Sequence, residues 1–306
     1  MSSVALIIIY NHQYNQNIEK LENIYKERFS NIYHLVPFYT GDIKNVIPVY
    51  ENSEYFQGYV AQGLKYFYGD NYVHYLFIAD DLLLNPIINE TNYQVHFKLN
   101  NNACFLPGFI NLHEVKDQWV GLIRSYNYNL GITGIEAKTQ MPDYESALKK
   151  FDHYGLKINP LNFDDIWHKP EHTTSKILNV INKLLLMRRR LKSKLSGKKY
   201  NLTYPMVGSY SDIFIVSADT IKQFSHFCGV TAATRLFVEV GMPTSMILSA
   251  KEITTENSLP LKSKTLWKSE DYLFLKKYKN SLTNLISNFP EDTLYIHPVK
   301  LSKWLT

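Results

Sequence analysis

The chain has 306 residues, of which 45% are hydrophobic and 20% are charged, with a mean hydropathy of −0.23. This length is enough to bury a full core, and the composition excludes a disordered or fibrous protein. The two cysteines, Cys104 and Cys228, exclude a disulfide framework and a cysteine-rich zinc site, and they fit a reducing cytoplasm. Because no segment reaches about 18 consecutive apolar residues, we expect a soluble or peripheral protein.

The formal net charge of +5 is concentrated in one part of the sequence. Nine Lys or Arg residues lie between Lys176 and Lys199, and no acid occurs from Thr173 to Ser211. Without these nine charges the remainder of the chain carries −4. The basic character is therefore a local patch on a mildly acidic body.

The first 81 residues alternate between predicted strands and helices. Residues 4–10 form an uninterrupted aliphatic run, which is typical of a buried parallel strand, and Ile18, Leu21, Tyr25 and Phe29 then share one helical face. The pattern predicts further strands at 32–37, 46–50 and 73–79, with a helix at 56–67. This alternation predicts a βαβ arrangement around a parallel sheet, the pattern of half of a doubly wound nucleotide-binding fold.

The second part of the chain is less regular, although several elements can be predicted. Residues 104–112 have a strand-like pattern, residues 144–154 a helical one, and Thr173 or Thr174 can cap a long helix that ends near Leu195. The remaining predictions are a strand at 213–217, helices at 218–227 and 232–240, a helical stretch beginning at Pro243, and an extended segment at 294–298.

Two adjacent carboxylates, Asp80 and Asp81, follow the predicted strand at 73–79. In open α/β sheets, ligands bind beyond the carboxyl ends of the strands. Neighbouring carboxylates repel each other and are costly to bury unless a cation or hydrogen-bond donors lie between them. The pair therefore predicts a Mg²⁺ or Mn²⁺ site, since these ions take hard oxygen ligands and share them with a diphosphate. The alternative is that one of the acids caps the segment 82–86.

On these residues, the first half of the chain resembles the bacterial GT-A glycosyltransferases, whose nucleotide-binding half ends in an Asp-x-Asp motif after its fourth strand. Here Ala79 stands at the first motif position, and Asp81 matches the second aspartate. The resemblance covers residues 4–90 well and the rest loosely. It implies an α/β, GT-A-like fold with a Rossmann-type, mostly parallel central sheet flanked by helices. Residues 1–306 would form one domain, with a nucleotide-sugar-binding half at 1–90 and an acceptor-binding half at 91–306 that includes a basic amphipathic helix at 174–196.

The resemblance also implies an activity, namely transfer of a hexose or deoxyhexose from a nucleotide-sugar donor to a glycan or glycolipid acceptor. The acceptor would be a surface polysaccharide, such as lipopolysaccharide O-antigen or capsule, made at the inner face of the plasma membrane. Many such enzymes close the site with a late His that binds the metal and a basic residue that binds the diphosphate. His297 and Lys300 match this pattern, so a divalent cation, Mn²⁺ or Mg²⁺, would be held by Asp80, Asp81 and His297. The alternative for His297 is a surface residue in a tail.

Further residues are candidates for binding the donor. Tyr10, Asn11 and His12 follow the first strand, where such enzymes contact the nucleotide base, and Gln57 lies on the helix before the aspartate strand. Together with Asp80 and Lys300 they make up the expected donor-binding set, and the first four could equally be ordinary surface groups.

The candidates for acceptor binding and catalysis lie in the second half of the chain. Tyr210 and Asp212 precede the strand at 213–217, where Tyr210 would stack on a sugar and Asp212 would bind a hydroxyl; the alternative is ordinary turn chemistry. Glu239 lies in an apolar stretch that raises a carboxylate pKa, and it is the first candidate for the base of an inverting transferase, with Asp212 the second. The alternative is a pair between Glu239 and Arg235. A retaining reaction needs no such base, and both stereochemistries stay open.

The basic segment from Lys183 to Lys199 favours an anionic membrane surface, because its helix also has an apolar face. One alternative is a solvated helix that packs its apolar face on the core. The other is a nucleic-acid-binding α/β protein that uses residues 176–199, although that function leaves Asp80, Asp81 and His297 without a role. A sugar nucleotidyltransferase is disfavoured, because no Gly-rich phosphate loop follows the first strand.

Overall fold

The computed structural model describes residues 4–114, 120–162, 166 and 176–305. Its strands are β1 (Val4–Ile9), β2 (Ile32–Pro37), β3 (Val46–Val49), β4 (His74–Ala79), β5 (Leu83–Leu84), β6 (Ala103–Leu106), β7 (Ile213–Ser217), β8 (Glu252–Thr255), β9 (Lys262–Thr265) and β10 (Thr293–His297). Its helices are α1 (Gln16–Tyr25), α2 (Gln57–Phe67), α3 (Tyr93–His96), α4 (Val120–Tyr126), α5 (Tyr144–His153), α6 (Lys176–Ser196), α7 (Ile221–Ala233), α8 (Val238–Ser249), α9 (Leu273–Lys276) and α10 (Leu282–Ser287).

The central sheet has seven strands in the order β3-β2-β1-β4-β7-β6-β8. Strands β3, β2, β1 and β4 are parallel to one another, β7 is antiparallel to both β4 and β6, and β8 is parallel to β6. One reversed strand therefore interrupts an otherwise parallel sheet.

Both faces of this sheet are covered, which explains the continuous apolar runs in its strands. Along β1, Val4, Leu6 and Ile8 belong to one core layer together with the buried side of α1, whereas Ala5, Ile7 and Ile9 belong to a second layer with α2, α7 and α8. A third apolar cluster lies among α4, α5, α7 and α8. The predicted α/β class, with a mostly parallel central sheet flanked by helices, is confirmed.

A second sheet, in the order β5-β10-β9, brings the end of the chain back to the end of β4. Strand β5 begins two residues after Asp81 and pairs antiparallel with β10, while Val299 N donates a hydrogen bond to Asp81 O at 2.6 Å. Because Asp80 and Asp81 lead into a strand, neither acid caps a helix there.

Most of the predicted elements are present, and one helix was predicted wrongly. Strands β2 and β7 have the predicted bounds. The helix predicted at 232–240 does not form: α7 ends at Ala233, Arg235 adopts a left-handed φ of +60°, and α8 begins at Val238. Pro243, predicted to start a helical stretch, lies inside α8.

The long basic helix is present from Lys176 to Ser196, and its predicted start at 173–175 lies outside the described residues. Over the residues that the structure describes, no helix is both long and apolar enough to cross a bilayer.

Candidate functional site

The acid pair lies where β4 ends beside the start of β7. Since these strands are antiparallel, with Ile78 opposite Ile213, the residue before β7 meets the last residue of β4. Ala79 N donates to Asp212 O at 2.8 Å, and this places Asp212 next to the acid pair. The predicted Asp80, Asp81 and Asp212 are therefore gathered at one edge of the sheet.

Asp80 is a buried carboxylate, with only 2% of its surface exposed. Its Oδ2 accepts a hydrogen bond from Asn17 Nδ2 on α1 at 3.1 Å. Burial and the charge of Asp81 together raise the pKa of Asp80 to about 7, although hydrogen bonds from the Asn17 side chain and the Asn11 backbone lower it. Near neutral pH the ionised form of Asp80 is thus poorly compensated, a state that a bound cation would relieve.

His297, at the end of β10, lies between two carboxylates. Its Nε2 is 3.1 Å from Asp81 Oδ1, and its Nδ1 is 3.4 Å from Asp212 Oδ2. Burial lowers the pKa of His297, but the contact with Asp81 and the charges of Asp212, Asp81 and Asp80 outweigh it, so the pKa is raised. Burial also raises the pKa of Asp212, against the opposing effect of His297. The His297 ring is therefore a cationic link between strand ends when protonated.

Buried polar atoms that lack a hydrogen-bond partner are concentrated at this edge. Among the described residues, four of the six such side-chain atoms are Asn17 Oδ1, Asp81 Oδ1, Ser211 Oγ and His297 Nδ1. The short contacts of Asp81 and His297 are thus ion-pair contacts without hydrogen-bond alignment. Because buried polar groups are normally paired, such a cluster is typical of a site that receives a ligand.

Asp80 and Asp81 face a cleft of about 230 Å³. The predicted residues that line it come from the end of β1, the end of β4 and the chain terminus: Asn11, His12, Asp80, Asp81 and Lys300. Tyr14, Asn17, Leu301 and Ser302 complete the lining. The sequence thus predicted five of the nine residues around this cleft.

Helix α1 holds the terminal segment over the cleft. Lys20 Nζ donates to Leu301 O at 3.0 Å and to Trp304 O at 2.8 Å, which satisfies carbonyls at both ends of the short 3-10 helix Leu301–Lys303. Leu301 and Trp304 are also buried in the core layer that contains α1. Lys300 and Ser302 consequently reach the cleft from a fixed turn.

A larger cavity, of about 540 Å³, lies between α2, α7 and residues 135–140. None of the acids gathered at the strand ends lines it. The smaller cleft is therefore the better candidate for the functional site.

Two residues of the predicted donor-binding set lie elsewhere. Tyr10 is fully buried, and its hydroxyl is 2.9 Å from His34 Nδ1, so it has no surface to offer a nucleotide. Gln57 is also fully buried, and its Nε2 donates to Leu236 O at 2.8 Å. Both placements contradict a direct contact with the donor. The sequence could not show this, because a polar residue next to a strand or at a helix start looks alike whether buried or exposed.

Glu239 lies in the first turn of α8, and its pKa responds to the charges of Asp212 and His297. Burial and the charge of Asp212 raise its pKa to about 7, while Arg124 and His297 lower it. Ser209 N donates to Glu239 O at 2.9 Å and so ties the start of α8 to the loop that precedes β7. The alternative pairing with Arg235 is wrong, because Arg235 Nη1 bonds Glu51 Oε1 at 2.9 Å.

An exposed aromatic pair lies next to His297. Tyr210 and Trp267 are 40% and 54% exposed, and their rings stack with centroids 5.7 Å apart and an interplanar angle of 28°. The Trp267 ring also meets the His297 ring edge-on at 5.8 Å. Sequence reasoning found Tyr210 but missed Trp267, a single aromatic residue after the polar strand β9, which nothing in the local pattern marks as part of a site.

Arg124 on α4 was also missed. Its Nη2 is 2.7 Å from Glu54 Oε1, its guanidinium lies 4.5 Å from the Phe237 ring centroid, and its charge lowers the pKa of Glu239. Nothing in the sequence of this short helix indicates that its Arg lies near Glu239.

The residues at the cleft supply some, but not all, of the ligands that a divalent cation needs. No group of three or more His, Cys, Asp or Glu side chains in the described part of the chain is arranged to hold a metal ion. Mg²⁺, however, is commonly held by one or two protein carboxylates together with substrate phosphates. Asp81 Oδ1 is buried with no hydrogen-bond partner among the described residues, and Asp80 lies beside it in the cleft. The two acids therefore suit a cation that arrives with a diphosphate.

Comparisons with known proteins add a structural similarity. No protein-family model matches the sequence, and no curated protein matches it. Among solved structures, the chain is similar to the apo structure of the bifunctional glycosyltransferase WbbM, with 11% sequence identity and a TM-score of 0.36. The alignment covers 97% of this chain but 45% of that one, so the chain spans less than half of its length. Similarity at this level carries no information about the activity of the present chain.

Proposed function

We propose that this protein is a GT-A-type glycosyltransferase that moves a sugar from a nucleotide-sugar donor to a glycan acceptor. The observation that carries the proposal is the convergence of Asp80 and Asp81 with Lys300, from opposite ends of the sequence, around one cleft beyond the parallel strands, with His297 in contact with Asp81. Nucleotides bind at this edge of open α/β sheets, where the loops after the strands form a crevice.

The cleft supplies the groups that a nucleotide diphosphate requires. Asn11 and His12 line the cleft and would contact the base or ribose, and Lys300 would supply a positive charge for a phosphate oxygen. Asp80 and Asp81 would hold Mn²⁺ or Mg²⁺, which neutralises charge on a departing diphosphate. His297 contacts Asp81 and would either join this set or keep the acid oriented.

On the acceptor side, Glu239 is the group best suited to take a proton near neutral pH, because its pKa is about 7. In an inverting reaction the acceptor oxygen forms a bond to the anomeric carbon, and its proton passes to Glu239. The bond from the anomeric carbon to the diphosphate oxygen breaks, and the nucleoside diphosphate leaves with the electron pair. Asp212 is the second candidate for the base, and a retaining reaction would use neither in this way.

The exposed rings of Tyr210 and Trp267 suit an acceptor that is itself a sugar, since flat apolar faces pack on aromatic rings. We extend the proposal to transfer of a hexose or deoxyhexose onto a lipid-linked surface glycan, such as O-antigen or capsule, at the inner face of the plasma membrane.

The test is a thermal-shift screen of UDP-, GDP-, dTDP- and CMP-sugars with and without Mn²⁺. We expect one nucleotide class to raise the melting temperature, and Asp81→Asn to remove the shift. Asp152→Asn, a substitution on the exposed side of α5, is the matched control and keeps it. Glu239→Gln should retain the donor shift but lose transfer to an acceptor glycan. The absence of a shift with every donor, in folded wild-type protein, contradicts the proposal.

A further inference from the structure

Helix α6 presents its apolar residues to the outside of the molecule. The exposed fractions of nine apolar side chains lie between 45% and 81%, and they belong to Ile177, Leu178, Val180, Ile181, Leu184, Leu185, Met187, Leu191 and Leu195. The positions that are half-buried are different ones, namely Asn179, Asn182, Leu186, Arg190 and Ser193. This is the reverse of an ordinary surface helix, which buries its apolar stripe and exposes its polar face.

The two sets of residues occupy opposite faces of the helix. At about 100° per residue, all of these apolar side chains except Leu178 and Leu185 fall within a stripe roughly 120° wide, which we call the apolar stripe, and those two extend the exposed apolar surface on one side. The five half-buried positions are centred on the other side. The alternative that this helix packs its apolar face on the protein core is therefore wrong.

Basic residues border the apolar stripe on both sides. Lys183 and Lys194 flank it on one side and Lys192 flanks it on the other, while Arg188 projects from within the stripe. All four are exposed, and residues 176–199 contain no acid that could neutralise them. The exposed surface of α6 is thus an apolar stripe, interrupted by Arg188, with positive charge along both edges.

We propose that α6 binds the surface of a membrane that contains anionic phospholipids. The apolar stripe would lie at the boundary between headgroups and acyl chains, and the flanking basic residues would meet lipid phosphates. The inference does not depend on the sugar-transfer chemistry, although it would place the acid cleft near lipid-linked acceptors.

The arrangement of charge and apolar surface on α6 favours an anionic membrane over two other partners. A nucleic acid would match the basic residues but leave the apolar stripe in water, where patches of this kind are unfavourable. A second copy of the chain would cover the stripe, but stripe-to-stripe packing would bring like-charged edges together. Only an anionic bilayer satisfies both parts of the surface.

The test is co-sedimentation of the full chain with vesicles of phosphatidylcholine alone or mixed with phosphatidylglycerol. We expect binding to the mixed vesicles only. The triple change Lys183→Gln, Lys192→Gln and Lys194→Gln should weaken it on the order of 100-fold, at about fivefold for each charge. Leu184→Ser with Leu191→Ser should abolish it, and these exposed positions leave the core intact.

Matched controls carry equal chemical changes elsewhere. Lys149→Gln, Lys157→Gln and Lys276→Gln remove three exposed charges outside α6, and Val95→Ser with Ile87→Ser removes two exposed apolar side chains; both should bind as the wild type does. The proposal is overturned if mixed vesicles do not bind the wild type, or if the Leu184 and Leu191 changes leave binding intact. It is also overturned if those changes convert a wild-type dimer into a monomer in light scattering, since a second copy would then cover the stripe.

Discussion

Three carboxylates of the candidate site, Asp80, Asp212 and Glu239, have pKa values that burial raises. A carboxylate with a raised folded-state pKa binds more protons when folded than when unfolded, so its contribution to stability falls as pH rises. Ionisation of each of these carboxylates is therefore less favourable in the folded protein than in the unfolded chain. Such costs persist where a ligand or a reaction uses the group.

Replacing Glu239 by Gln should stabilise the protein at alkaline pH and not in acid. The folded pKa is about 7 against an ordinary 4.5, so wild-type Glu239 costs nothing below about pH 4.5 and its full penalty above pH 7. The neutral amide avoids that penalty. We expect the free energy of unfolding in urea to rise by on the order of 1–3 kcal/mol at about pH 8 and to be unchanged at about pH 4.5.

The exposed Glu27→Gln on the loop after α1 is the control for that measurement, and it should change stability little at either pH. An equal effect of Glu239→Gln at both pH values would mean that the buried charge of Glu239 is already compensated.

Trp267→Ala should weaken acceptor binding without affecting the donor. Loss of the stacked ring removes an aromatic contact with a sugar, a class of contact that contributes about 0.5–1.5 kcal/mol. We expect the KM for an acceptor glycan to rise about tenfold at most, with an unchanged donor-induced thermal shift and partial recovery in Trp267→Phe. Tyr66→Ala, which removes another ring that is 54% exposed, is the control. An altered donor shift with an unaltered acceptor KM would place Trp267 on the donor side instead.

At the scale of elements, one side chain of α1, that of Lys20, anchors the turn at residues 300–304. Lys20→Ala removes the donor to Leu301 O and Trp304 O, and the turn that carries Lys300 and Ser302 loses its anchor. We expect donor affinity to fall about tenfold and the terminal residues to exchange amide hydrogens faster.

The control for this change is Lys26→Ala, which removes a lysine whose Nζ bonds Asn23 within the same part of the chain. If Lys20→Ala accelerates exchange in the terminal turn but leaves donor affinity unchanged, then the turn does not form part of the donor site.

The sequence predicted the parallel part of the fold well because buried strands are continuous apolar runs, as in β1, β2 and β4. It missed β8 and β9, whose sequences Glu-Ile-Thr-Thr and Lys-Ser-Lys-Thr are short, polar and only partly buried. It also extended a helix through residues 234–237, where the break depends on a left-handed Arg235 rather than on Gly or Pro. Short polar strands at the edge of a sheet, and helix breaks without Gly or Pro, leave no periodic signal in the sequence.

The residues of the candidate site also divide into those that a sequence pattern marks and those that it does not. Asp80, Asp81 and Lys300 could be predicted because strand ends and a late basic motif mark them, and they do line one cleft. Tyr10 and Gln57 were misplaced because sequence position does not distinguish a buried polar group from an exposed one. Asn17 and Trp267 could not be found, since each reaches the site only through tertiary packing.

At the scale of the whole molecule, the site exists because two sheets meet at Asp81. The chain leaves β4, passes the acid pair and enters β5 in the second sheet, where β10 returns from the far end of the sequence. The backbone bond from Val299 to Asp81 and the side-chain contact of His297 lock this return. Stability of the second sheet and donor binding should therefore be coupled.

Asn85→Ala tests this coupling away from the cleft. Asn85 is buried, its Nδ2 donates to Thr293 O at 2.6 Å, and its backbone N donates to Leu294 O at 2.9 Å, so it fixes the start of β10. The substitution leaves a buried carbonyl unpaired, which costs about 1–3 kcal/mol of unfolding free energy. We expect that loss in urea unfolding, together with weaker donor binding measured where the variant is still folded. Asn129→Ala, in an exposed loop, should change neither quantity. A destabilised variant with wild-type donor affinity would show that donor binding does not depend on how the start of β10 is anchored.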